Sequence, residues 1–179
     1  MSFRIRLADP KRDRTAMLSF IYGLQAFEHT MEPNRRLDAT VAADHMGVLD
    51  KRLAERGGAM FLAEDDEAPL GWAVVHETVD DLYVIESERR MAYIDELYLI
   101  ERARRLGAGQ ALIASCEAWA KGRGIGVIMI GVLGNNTAPT ASTTQLVTPT
   151  IRFSCANTSD MRRPRGCCAW RSTRRHLLR

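Results

Sequence analysis

The stretch from Met91 to Ile113 constrains this chain more than any other. Met91 to Ile100 reads as a strand, with Tyr93-Ile94-Asp95-Glu96-Leu97-Tyr98-Leu99 at its centre. Glu101-Arg102-Ala103 follows, then Arg104-Arg105-Leu106-Gly107-Ala108-Gly109, a turn holding two arginines and two glycines. That turn opens a helix from Gly107 to Lys121, with Leu112, Ile113, Cys116 and Trp119 on one face. Glycines let backbone approach a ligand closely, and a helix start presents unpaired N–H groups and positive dipole, which suits a phosphate. Arg104 and Arg105 add charge. Taken alone, the turn reads either as a phosphate cradle or as a simple helix cap.

Around this unit the pattern alternates between strand and helix periods. Phe3 to Ala8 reads as a strand, Asp13 to His29 and Asp38 to Arg56 as amphipathic helices, and Gly57-Gly58 as the stop of the second. Ala59 to Ala63 and Leu70 to Val79 form a hairpin about an acidic turn, Asp80 to Arg90 is polar and irregular, and Val127 to Leu133 is a buried-type strand. The order β-α-α-β-β-β-α-β predicts an α+β domain, a mixed, mostly antiparallel sheet flanked by helices. Trp72, Trp119 and Cys116 read as core.

Composition narrows the class. The chain has 179 residues, 46% hydrophobic and 26% charged, a normal balance for one globular domain. The longest apolar stretch, Gly124 to Gly134, is too short to span a bilayer, and the N-terminus has no apolar signal core, so the expectation is a cytoplasmic protein without a membrane partner. No cysteine or histidine spacing points to a metal site. Seven arginines and no acid occupy residues 161–179, leaving 18 basic against 22 acidic residues, or −4, for residues 1–160.

The run Arg104-x-x-Gly107-x-Gly109, after a strand ending Glu96-Leu97-Tyr98-Leu99, resembles the acetyl-CoA signature of the GCN5-related N-acetyltransferase superfamily. The helix bearing Glu117-Ala118-Trp119-Ala120 and the strand leading to Gly134-Asn135-Asn136-Thr137-Ala138 resemble it too, and the likeness covers residues 3–138. It implies an enzyme that transfers acetyl from acetyl-CoA, as co-substrate, to a primary amine of a small molecule or protein. It implies that the backbones of Leu97, Tyr98 and Leu99 hold the pantetheine arm. Amides from Arg105 through Leu106, Gly107, Ala108 and Gly109 to Gln110 would hold the pyrophosphate, with Arg104 at the first position of the motif. Asn135 would line the far side of the cleft. Glu96 is the candidate base for deprotonating the amine; the alternative is a structural carboxylate paired with an arginine. Glu28, His29 and Arg35 fall where the family's first-helix region covers the substrate, and Glu28 and Arg35 are the acceptor-site candidates. His76 and Glu77 either face the cleft or form a cross-strand pair. The resemblance also implies a homodimer as one assembly.

Past Ala138 the likeness stops. Thr, Ser and Pro fill 12 of residues 137–160, and three of the four cysteines lie there and beyond. The family would place a helix with a tyrosine proton donor and two closing strands here. Read one frame over, residues 138–160 permit a Leu-Tyr pair, a Gly-Tyr turn and a closing apolar strand. The expectation is therefore a domain over 1–138 and an out-of-frame or disordered tail over 139–179. The helix and strands would be missing, with the edge of Val127–Leu133 left open. Two rival functions follow: an acyl-CoA-binding remnant without catalysis, and an anionic-surface or nucleic-acid binder using the arginine tail. Nucleic acid ranks last, because no recognition module accompanies the arginines.

Overall fold

The structure is a computed structural model, and it describes residues 2–133 together with the backbone of strand 151–156. β1 (Arg4–Leu7) leads into two helices, α1 (Arg14–His29) and α2 (Val41–Arg56). β2 (Gly58–Glu64) and β3 (Pro69–Val79) form the hairpin, and the single turn of α3 (Glu86–Arg89) precedes β4 (Arg90–Leu99). A 3₁₀ turn (Glu101–Ala103) leads to α4 (Ala108–Lys121), then β5 (Val127–Leu133) and β6 (Ile151–Ala156). The strands lie in chain order, β1 to β6. β1 to β4 pair antiparallel, whereas β4–β5 and β5–β6 are parallel. The mixed α+β sheet expected from the sequence is what forms.

Each element follows from its spacing. In α4, Ala108, Leu112, Cys116 and Ala120 recur every fourth residue, and each is at most 1% exposed. That stripe covers one face of the sheet, over Ala73, Val75, Ala92, Ile94, Ile128 and Ile130. α4 is also the crossover that lets β4 and β5 run parallel. On the opposite face α1 presents Met17, Phe20 and Ile21, and α2 presents Met46 and Leu49, against Met60, Leu62, Trp72 and Val74. β2 serves both layers by alternation: Met60 and Leu62 face α1 and α2, while Phe61 and Ala63 face α4. Trp119 packs at the margin of the α4 layer, partly buried, with the Arg123 guanidinium 4.2 Å from its ring centroid.

The sheet departs from expectation at one edge. Residues 151–156 lie in the segment read as tail, yet they run beside β5 with Ile128 opposite Ile151 and Leu133 opposite Ala156. The edge of β5 is therefore covered. An unpaired strand offers a row of N–H and C=O groups, and a short β-prone stretch carrying Ile151 and Phe153 can fill it. The other expectations for the tail concern residues outside those described. Among the described residues no helix is long and apolar enough to cross a membrane.

Candidate active site

The site begins where two strands part. β4 and β5 pair only from Met91 opposite Val127 to Ile94 opposite Ile130. β4 then runs on to Leu99 and β5 to Leu133 without further pairing between them. From Glu96 to Leu99 the inner edge of β4 remains bound to β3, so its outer edge faces an opening. Gly131 stands where the strands part. A Cβ there would lie 2.5 Å from the Tyr93 hydroxyl oxygen. The hydroxyl of Tyr98, by contrast, reaches α1, where a Cβ on Gly23 would meet it at 2.5 Å. Its side chain thus belongs to the α1 layer.

At the mouth of the opening lies the glycine turn. Arg104 donates from Nε to the carbonyl of Leu99 at 3.2 Å, and its guanidinium carbon stands 5.5 Å from the ring centroid of Phe27. It thereby ties the end of β4 to α1. Arg105 and Gly107 both have left-handed backbone, with φ of 64° and 86°. Gly107 is the N-cap of α4, so the first amides of the helix, at Ala108, Gly109 and Gln110, have no intrahelical acceptor. Ala108 is buried under the helix, Leu106 is exposed, and a Cβ on Gly109 would touch Leu99 at 3.4 Å. Asn135 lies outside the described residues.

A bulge sets the chemistry of β4. Val74 of β3 faces Glu96, while the next residue, Val75, faces Ile94. Asp95 is the extra residue, so it and Glu96 both turn toward α2, while Ile94 and Leu97 both pack on the α4 side. Glu96 is 5% exposed. Its Oε1 lies 2.6 Å from Nε2 of His45, on α2, and its buried Oε2 has no hydrogen-bond partner among the described residues. Among the described residues no arginine pairs with Glu96. Arginine goes instead to its neighbour: Asp95 accepts from Arg52 of α2, and its Oδ2 lies 3.2 Å from Nε2 of His76. Burial pushes the Asp95 carboxyl up, but His76 and Arg52 outweigh it and hold the group below its usual range. The hydrogen bond to Glu96 raises His45 above the ordinary imidazole value, against the effect of burial.

Glu28 and Arg35 meet at the adjoining helix end. Arg35 Nε lies 3.4 Å from Glu28 Oε2, and Arg35 NH2 donates to Glu32 at 3.1 Å. His29 contacts the Arg35 carbonyl through Nδ1 at 2.8 Å. Burial raises the Glu28 carboxyl, Arg35 lowers it, and the nearby Glu96 and Glu32 charges raise it again. Arg35, His45, Gln25, Asn34 and Asp44 border a groove of about 400 Å³ beside this cluster. His76 is buried beneath the site, whereas Glu77 makes the cross-strand pair with Arg90.

His45, Arg52 and Asp95 escaped the sequence reading. Two signals were present. Asp95-Glu96 places two polar residues in succession inside an alternating strand, the mark of a bulge. His45, Leu49 and Arg52 recur at i, i+4 and i+7, and Leu49 is wholly buried, so the stripe faces the sheet.

The arrangement suits a ligand that adds to the free edge of β4, rests an anionic group on the start of α4 and presents a reactive end near Glu96. The model of the acetyltransferase (GNAT) family matches residues 21–141. No curated protein matches. Among solved structures, a predicted acetyltransferase from Clostridium acetobutylicum, with acetyl-CoA, is 20% identical with a TM-score of 0.62, covering 80% of this chain and 88% of its own. An aminoglycoside antibiotic 6'-N-acetyltransferase from Acinetobacter haemolyticus is 18% identical with a TM-score of 0.61, covering 81% and 90%. Glucosamine-6-phosphate N-acetyltransferase from Arabidopsis thaliana is 10% identical with a TM-score of 0.59, covering 82% and 90%.

Proposed function

The chain belongs to the acetyltransferase (GNAT) family, and from that premise we propose that it moves acetyl from acetyl-CoA to a primary amine of a small molecule or protein. One observation carries the reading: among the described residues a buried carboxylate with an unpartnered oxygen, Glu96 Oε2, stands beside an unpaired edge of β4. The residues fit the co-substrate. The free edge over Leu97 to Leu99 can hydrogen-bond an amide-bearing arm, as a further strand would. The left-handed turn at Arg105 and Gly107 and the first amides of α4 suit a pyrophosphate. Arg104 braces the corner between them. When bound, acetyl-CoA supplies a thioester carbonyl open to attack by an amine.

The chain's own part is proton handling and placement. An ammonium cannot attack, so a base must take its proton, and Oε2 of Glu96 is free to accept one. The groove bordered by Arg35 and His45 gives the amine its approach. Two measurements test the proposal together. Titration calorimetry with acetyl-CoA reads binding, and thiol release with spermidine, tyramine, kanamycin or a lysine peptide reads transfer. Binding with amine-dependent thiol release supports it; failure of acetyl-CoA to bind sinks it.

One sequence fact favours a second reading. No tyrosine follows Tyr98, so the tyrosine donor that would protonate the departing thiolate has no counterpart in the tail. Binding without thiol release for any amine makes the chain an acyl-CoA-binding protein. Reading the DNA across codons 130–180 then decides whether a shifted frame removed the donor.

A further inference from the structure

Glu96 can act as a base only while ionised, and it is buried, where a charged group needs a partner. The charged groups around it offer little relief. Asp95 on β4 and Glu28 on α1 are of like sign; Arg52 on α2 is engaged with Asp95, and Arg35 with Glu28 and Glu32. Among the described residues, one side chain contacts Glu96 as a hydrogen-bond donor. It is His45, 51 positions earlier, at 2.6 Å. Its ring is partly open to the groove, so Nε2 meets a buried carboxylate while the rest of the imidazole borders solvent.

We infer that His45 is a positioning residue for acetyl transfer: its Nε2–H, donated to Oε1, holds the Glu96 carboxylate in place and fixes Oε2 as the oxygen that receives the amine's proton. The inference rests on the acetyl-transfer reading. In the step, the ammonium loses one proton to Oε2, leaving a neutral amine and a neutral carboxyl group. The Nε2–H stays on His45 and continues to donate to Oε1. The raised imidazole titration agrees with this contact, since a carboxylate favours the protonated ring. Donation from a histidine also explains the choice of residue. Its ring reaches Oε1 from the helix, whereas Arg52, two turns on, is aimed at Asp95.

The test compares the full chain with His45→Gln and His45→Leu. Thiol release is followed from pH 5.5 to 9 with whichever of spermidine, tyramine and kanamycin the unaltered chain uses fastest. Gln keeps an N–H donor and should retain kcat within about fivefold, while Leu should lose about 100-fold at neutral pH. The KM for acetyl-CoA should stay within about twofold in both, because neither touches the β4 edge or the α4 turn. NMR titration of the His45 ring supplies a readout free of turnover: in Glu96→Gln its pKa should fall, because the hydrogen bond to the carboxylate is the main cause of its raised value. A kcat within twofold of the unaltered chain's in His45→Leu overturns the inference, and so does an unchanged His45 titration in Glu96→Gln. If the unaltered chain releases no thiol with any amine, the acetyl-transfer reading fails, and with it the positioning role of His45. The NMR result then reports only whether the contact persists.

Discussion

Asp95 and Glu96 are neighbours with different fates, and the difference lies in what faces them. Asp95 is held ionised by Arg52 and His76, which both meet its Oδ2. Among the described residues Glu96 has one partner, at Oε1, and none at Oε2. Replacing Glu96 by Gln should therefore cut thiol release by about 10²–10⁴-fold, with acetyl-CoA affinity within about twofold by calorimetry. A second cluster governs acid stability. Glu64 accepts from Arg6 and Arg4, and Asp13 from Arg6. Arg6 above all, with Arg4 and against burial, lowers the Glu64 carboxyl to about 2, while Asp13 lies well below its usual range. A lowered native value means stability that is present above the ordinary value of 4.5 and lost as pH falls toward 2. The urea midpoint should decline over that window. Glu64→Gln should begin lower at pH 6, by about 1–3 kcal/mol, and decline less steeply.

At the scale of the element, the glycine turn and α4 act as one piece. Gly107 supplies a left-handed residue at 86° that ends the turn and starts the helix. Alanine there should cost about 1–2 kcal/mol from backbone strain and should weaken acetyl-CoA binding by misaiming the first amides. Gly109 differs, since its backbone is unstrained and its added methyl meets only Leu99 at ordinary contact distance. Gly109→Ala should keep the melting temperature within about 2 °C and lower acetyl-CoA affinity by about tenfold, or 1.4 kcal/mol, because the methyl would stand against Leu99 at the start of α4, beside the amides proposed to hold the pyrophosphate. Equal losses of stability in both variants, with binding unaffected, would contradict the cradle. The arginine at 105 has a left-handed backbone as well, and its φ of 64° marks the same corner.

The whole molecule is two helical layers sharing one sheet. β2 contributes to both layers, as do Ala73 and Val74 at adjacent positions of β3. The layers should therefore unfold together. Leu49→Ala removes a wholly buried side chain from the α2 layer and should cost about 2–5 kcal/mol. Fluorescence of Trp72, in the same layer, read with Trp119 and Trp170 replaced by Phe so that it alone reports, and far-UV circular dichroism should still give coincident urea transitions. Because α2 also carries His45 and Arg52, the same variant should lower kcat more than it raises the KM for acetyl-CoA. Separate transitions would mean that the α1–α2 layer folds apart from the α4 layer.

Local physics made much of this legible in the sequence. The apolar row Ala108, Leu112, Cys116, Ala120 has the helical period, and the alternation of β2 has the strand period, so elements and their inward faces follow from neighbours close in the chain. The Arg104 to Gly109 turn was legible for the same reason, since left-handed backbone and a helix start are local demands. The pairings of the site were not. His45 and Glu96 are separated by 51 positions, and Arg52 and Asp95 by 43. Their meeting depends on how α2 lies across β4 and on the bulge that turns both carboxylates to one side. The cover on β5 was likewise decided in three dimensions: an open edge selects whichever extended stretch can reach it, and period alone does not mark 151–156 as that stretch. Short-range geometry thus follows from residue order, while charge partnership is decided when packing brings distant groups out of water together, where an unpaired charge is costly.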